Sequence, residues 1–279
     1  MTATKAVAEQ EKKAVSLAGA FGEYGAEGFD NQTQDDISIP FVNVLQALSP
    51  QVEERDDCKA GMLFNTITEQ AWAGAEGFVF VPCITEHCFV EWTPQNDGGG
   101  GFVARHEISA PLVRECQAQQ EFGQFKTPDG NDLVETFYVY GVLEDSEELC
   151  VLAFSSTKIK VYKRWATRLN MFTLKQADGR KVRPPLFAHR TRVTTKQEQN
   201  KAGQKYYNFN MEPAEGDVKS SLLDPASDLF AIARDCYAMV KDGSARAATE
   251  TQQKTASAAT PGNAPAADMG EDLDDDVGF

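Results

Sequence analysis

The chain has 279 residues, of which 42% are hydrophobic, and its 27 Lys and Arg against 42 Asp and Glu leave a net charge of −15. That length holds one large domain or two small ones around a substantial core. No run approaches the ~18 apolar residues of a membrane span, and the N-terminus lacks a signal-peptide core, so the expected location is the cytoplasm with no membrane contact.

Residues 1–35 mix Ala, Glu, Gly and Gln with little periodicity and read as a mobile arm. The domain is expected over 36–242. Asp35-Asp36-Ile37-Ser38-Ile39-Pro40 leads into Phe41–Leu48, a strand or short helix that Ser49-Pro50 ends. Ala60–Asn65 reads as a turn into a strand. Gly77–Ile84 and Cys88–Trp92 read as two apolar strands, and Pro94–Gly101 as a flexible loop. The four glycines of that loop lack the Lys-Ser/Thr of a phosphate loop.

Ala110–Gln120 suits a short helix and Thr127–Asn131 a turn. Val134–Leu143 and Leu149–Ser155 alternate with period 2 and form the clearest hairpin, across the acidic turn Glu144–Glu148. Lys158–Leu174 has helical period, with Ile159, Tyr162, Ala166 and Leu169 on one stripe and Lys160, Arg164 and Arg168 on another. His189–Lys196 and Lys205–Met211 form a second hairpin, and Pro225–Lys241 an amphipathic helix. Residues 243–267 are Ala/Thr/Gln/Ser-rich, a flexible linker, and 268–279 an acidic tail.

The charge is unevenly placed. Between Thr157 and Asn210 stand 14 Lys and Arg against Asp178 and Glu198, a net of +12, so the other 225 residues carry −27. The same window holds Tyr162, Trp165, Phe172, Phe187, Tyr206, Tyr207 and Phe209. Single-stranded nucleic acid asks for this mixture: cations follow the phosphates, and flat rings take unstacked bases at ~1–3 kcal/mol each. The candidate DNA-binding set is Lys158, Lys160, Tyr162, Lys163, Arg164, Trp165, Arg168, Arg190, Arg192, Lys196, Lys205, Tyr206, Tyr207 and Phe209. Tyr162 and Trp165 also fit a plain core stripe, and only the hairpin side facing a groove could stack bases.

Catalytic signatures are missing. Asp129 and the distant Asp217-Val218-Lys219 make a poor nuclease pattern, and the three histidines sit in unrelated contexts. Cys58, Cys83, Cys88, Cys116, Cys150 and Cys236 lack a paired rhythm and read as reduced thiols. Cys83, His87 and Cys88 have no second half-site for zinc. The expectation is a non-enzyme without metal or cofactor.

The tail carries six acids in twelve residues and ends on Phe279. It cannot bury enough apolar surface to fold, yet an aromatic beside a free carboxylate is a compact ligand for a basic-rimmed pocket. Asp274-Asp275-Asp276-Val277-Gly278-Phe279 resembles the acidic tip of bacterial single-stranded DNA-binding proteins and the Phe-terminated tails of their bacteriophage counterparts, departing at Val277-Gly278. The resemblance covers about ten residues. It implies an oligonucleotide-binding barrel that coats single-stranded DNA, and a tail (Asp272, Asp274, Asp275, Asp276, Phe279) that recruits replication or recombination proteins such as a polymerase, helicase or primase. A second likeness, through Ile39-Pro40-Phe41, Gln46–Pro50 and Ala60-Gly61-Met62, is to a protein of tailed-phage genomes.

The expected architecture is therefore mainly β (α+β), an elaborated OB-fold-like barrel with one or two packing helices and a disordered C-terminal tail. A strand-annealing protein, a phage structural or scaffolding protein and a nuclease stay open as alternatives. The sequence is compatible with a homo-oligomer.

Overall fold

The computed structural model describes residues 28, 38–94, 101–119, 125–200 and 202–248. All of the expected arm but residue 28, most of the expected Pro94–Gly101 loop, the tail and all but the first residues of the linker lie outside them. Fourteen strands follow in chain order: β1 Ser38–Ile39, β2 Val42–Val44, β3 Leu63–Asn65, β4 Ala71–Trp72, β5 Phe78–Trp92, β6 Phe102–Glu107, β7 Phe125–Lys126, β8 Asp132–Leu143, β9 Leu149–Ser155, β10 Leu174–Lys175, β11 Lys181–Val182, β12 Thr191–Gln199, β13 Lys205–Pro213 and β14 Arg246–Ala247. The helices are α1 Pro50–Glu54, α2 Pro111–Gln119, α3 Ile159–Met171 and α4 Asp228–Lys241. The protein is mainly β, with a few helices.

One seven-stranded sheet dominates. β5 and β8 pair antiparallel from Phe80↔Leu143 to Trp92↔Asp132. Beyond this ribbon, β12 pairs the start of β5 and β6 its end, while β9 pairs the end of β8 and β7 its start. β13 continues outward from β12. The order through the larger half is thus β13-β12-β5-β8-β9. A bulge between Pro82 and Ile84 lies where β5 passes from its β12 half to its β6 half. Pro82 lacks an N–H and sits between those two ladders, so no hydrogen bond on that edge is lost.

Alternation along β8 sends its side chains to two cores. Phe137 and Val139 join Val42, Leu63, Phe80, Leu152, Phe154, Val193, Phe209 and Met211, closed by Trp165 and Leu169 of α3. Tyr138 and Tyr140 face the other way, beneath Ile39, Phe41, Val151, Ala247 and Ala248. Ala233 and Cys236 of α4 cover Val81, Cys83 and Val142. Both faces of the central ribbon are therefore dry, which is why nearly the whole second half of β8 is buried.

Short segments tie the edges. Phe41 bridges Val151 of β9 in parallel, with Val151 N donating to Pro40 O at 2.8 Å. Five residues on, Gln46 mimics a strand: its Nε2 donates to Tyr207 O at 2.8 Å and its Oε1 accepts from Tyr207 N at 2.9 Å. β1 and β14 pair in parallel, Ser38 opposite Arg246.

Both expected hairpins form, as does each expected helix, with shifted ends. α4 starts at Asp228, with Ser227 Oγ accepting from Phe230 N at 3.3 Å, so Pro225 precedes the cap instead of sitting in the first turn. Pro50 does not simply end the preceding run: it occupies the first turn of α1, where its missing N–H is harmless. The two strands expected over 77–92 are one. All six cysteines are buried and unbridged. Among the described residues, no helix is long and apolar enough to cross a membrane.

Candidate nucleic-acid interface

α3 forms because an apolar stripe at helical spacing meets the main core, leaving its charged positions outward. Trp165 and Leu169 are buried, and Ile159, Tyr162 and Ala166 pack partly buried beside them. Lys160, Arg164 and Arg168, four residues apart, run along a different stripe. They do not stand alone. Lys160 Nζ lies 3.0 Å from Glu198 Oε2 in β12, Arg164 Nη2 lies 3.7 Å from Glu212 Oε1 in β13, and Arg168 also pairs with Glu212. Lys196 Nζ reaches the second oxygen of Glu198 at 3.9 Å. The helix stripe and the second hairpin, 38 to 48 residues apart in the chain, thus meet around two carboxylates.

These contacts set the local charge. Burial opposes ionisation of Glu198, but hydrogen bonds from Lys160, Asn208 and Tyr206 outweigh it and hold the carboxyl below its ordinary range. Burial likewise works against the Lys160 ammonium, and Glu198 more than restores it. The Glu212 pairs are the more exposed, and pairs of that kind contribute about 0–1 kcal/mol each, so a competing anion displaces them at little cost. Lys163, Arg192 and Lys205 are exposed beside them in the chain.

Other members of the expected set are placed differently. Trp165 is 3% exposed and Phe209 2%, and both are core residues; the Trp165 indole N–H donates to Thr191 Oγ1 at 3.2 Å. Neither ring is available to stack on a base, because a large aromatic at helical or strand period serves the core first. Lys158 is drawn inward, its Nζ 5.5 Å from the Phe209 ring centre, and burial pushes its ammonium down to about 8. Arg190 is pinned between Glu144 at 2.8 Å and Glu215 at 3.0 Å. Tyr162 is half-buried and stacks on Phe137 with centroids 4.4 Å apart. Tyr206 is half-buried and donates to Glu198 at 2.9 Å, while Tyr207 is held through its backbone by Gln46. The tail residues Asp272, Asp274, Asp275, Asp276 and Phe279 lie outside the described residues.

The sequence reading counted the charges of residues 175–183 but left them out of the candidate set. Lys175, Arg180, Lys181 and Arg183 are all exposed, on or beside the small β10–β11 hairpin that follows α3. Their density within nine residues was the available signal. Between α3 and the segment after this hairpin lies a cleft of about 160 Å³, lined by Tyr162, Trp165, Leu169, Arg183, Pro184 and His189 among others.

The fold and this surface define a mainly β protein with a cation-rich helix laid against a β-hairpin. By family, the chain belongs to the Pam3 phage gp34-like proteins, whose family model matches residues 9–246. The match takes in all of the described sheet and stops before the acidic tail. It makes this a phage-type protein, and the family's description carries no activity. No curated protein and no solved structure matches the chain.

Proposed function

We propose that this protein binds single-stranded DNA without sequence preference and without catalysis, coating it during phage replication, recombination or repair. The observation that carries the reading is the convergence of the α3 cations with the basic face of β12 around Glu198 and Glu212. Phosphates would take the place of those carboxylates, each contact releasing condensed counterions.

The architecture supports the reading. Three features favour an oligonucleotide-binding plan for β5, β8, β9, α3, β12 and β13: a long first strand with a bulge, a helix after the third, and the fourth paired to the first. Phe41 bridges Val151 of β9 and Gln46 holds Tyr207 of β13, so one short segment links the two outer strands, which suits a barrel plan. In this reading the acidic tail, resembling those of single-stranded DNA-binding proteins, recruits replication or recombination enzymes and competes for the basic surface when DNA is absent.

Fluorescence anisotropy with a labelled thymidine oligonucleotide tests it. Binding should weaken with salt at a slope near −0.7 per phosphate contacted. No binding at low salt would remove the DNA reading and favour a structural or scaffolding role. Degradation of the strand on adding Mg²⁺ would make the protein a nuclease, and pairing of complementary strands an annealing protein.

A further inference from the structure

We propose that the cleft between α3 and the 183–189 segment is a receptor for one unstacked nucleobase of the bound strand. The inference rests on the DNA-binding reading and adds a specific seat to it.

The cleft is a slot with apolar walls. Tyr162, Trp165, Ala166 and Leu169 of α3 form one side, and Pro184 and Leu186 stand on the other. Its volume of about 160 Å³ falls below the roughly 300–1,000 Å³ of sites for drug-sized ligands. An occupant must therefore be about the size of one ring system. With Trp165 sealed in the core, the half-buried Tyr162 is the lining ring left to meet a planar group, and base–aromatic contact is the dominant attraction for unstacked single strands.

The polar groups narrow the choice. His189 lines the cleft, is 2% exposed, and leaves its Nδ1 without a hydrogen-bond partner. A buried ring nitrogen left unsatisfied is costly, and a histidine in the wall of a ligand-sized space can have that cost relieved by a partner that arrives with the ligand. Thr85 and Asn170 add a hydroxyl and an amide to the lining, and Arg183 Nη1 donates to Asn170 Oδ1 at 3.3 Å. Nucleobase edges carry adjacent donors and acceptors that can meet these groups. A hydrocarbon ring such as the side chain of Phe279 would fill the slot but leave Nδ1 unpaired. That difference is what favours a base.

The surroundings agree. Arg183 and Asn170 are exposed, and their chain neighbours Val182 and Met171 are apolar side chains at 42% and 78% exposure. Lys175, Lys181 and Lys163 lie on the same elements, α3 and the β10–β11 hairpin, so a backbone following these cations passes near the cleft.

The test uses the full chain, a labelled thymidine oligonucleotide and an abasic strand of equal length. Ala166→Leu fills the slot from the helix side, and Asn170→Ala trims an exposed polar group without touching the core. Ala166→Leu should weaken thymidine-strand binding about fivefold or more, since one stacked base is worth that much or better. Its affinity for the abasic strand and its salt slope should match the wild type. Asn170→Ala should show a smaller loss with the same strand dependence, and decides the matter if the filled variant fails to fold. Equal affinities of variant and wild type for the thymidine strand would overturn the base seat while leaving DNA binding intact. So would an equal loss on both strands. Tighter binding by Ala166→Leu would assign the cleft to the chain's own tail. Failure of the wild type to bind either strand would instead take away the DNA-binding reading and the seat with it.

Discussion

A histidine with 2% of its surface exposed has little water to help it hold a second proton. Burial pushes His189 down from 6.5 to about 4. Between those values the unfolded chain binds the extra proton and the folded one does not, so stability rises with pH across the window and is lost as pH falls through it. The full swing is up to roughly 3 kcal/mol at 1.36 kcal/mol per pKa unit. Urea unfolding of a His189→Asn variant between pH 4 and 6.5 should lack that slope, whereas the wild type shows it. A variant as steep as the wild type would place the acid sensitivity elsewhere. At this scale the sequence was legible where side chains repeat and opaque where they bury. The spacing of Lys160, Arg164 and Arg168 put them on one stripe, and they are found there. Nothing in the local pattern separated Tyr162, half-buried at the cleft, from Trp165, sealed in the core, because that choice depends on how α3 is rotated against Thr191 and Phe137.

Among the elements, β5 gives the plainest case of tertiary context overriding local pattern. Thr85-Glu86-His87 interrupts an apolar run and reads as a break between two strands. It is not one, because β8 pairs straight across it, Thr85 with Val139 and His87 with Phe137. The polar side chains find partners on the two faces of the sheet: Glu86 with Arg105 and Tyr140 on one, and His87 with Glu135 at 2.8 Å on the other. The bulge beside them explains a glycine. A Cβ on Gly141, opposite Pro82, would overlap the Val81 carbonyl and the Phe80 ring. Gly141→Ala should therefore destabilise the fold by about 1–3 kcal/mol, the cost of overpacking a tight site. The urea midpoint reads this directly, and an unchanged midpoint would mean that the ribbon is looser there than its packing indicates. The hairpins, by contrast, were legible almost to the residue, since period-2 alternation and turn chemistry act locally.

Over the whole molecule, charge separates along the chain. The +12 window folds into one long helix and two hairpins, while the acidic excess includes the six carboxylates of residues 268–279. Removing 268–279 should tighten binding to single strands, most at low salt, where unscreened carboxylates compete best with phosphate. Phe279→Ala should keep DNA affinity and lose recruitment of a replication partner, measured by pull-down of the host polymerase, helicase and primase. Equal or weaker DNA binding by the truncated chain would show that the tail does not compete. The strand order that supports the barrel reading was beyond the sequence, because no local signal says that β12 returns to β5 over a hundred residues away.

The parallel clasp of β1 and β14 also bears on how this body could be handled. Ser38 faces Arg246 and Ile39 faces Ala247, so the first and last described strands run side by side in a small sheet of their own. A folded body whose first and last strands are neighbours can be re-opened elsewhere, because the two strands already lie side by side. The turn between β12 and β13 is a natural place for the new ends. A circular permutant cut there, with residues 38 and 247 joined by a few glycines, would keep the sheet while freeing the hairpin to open.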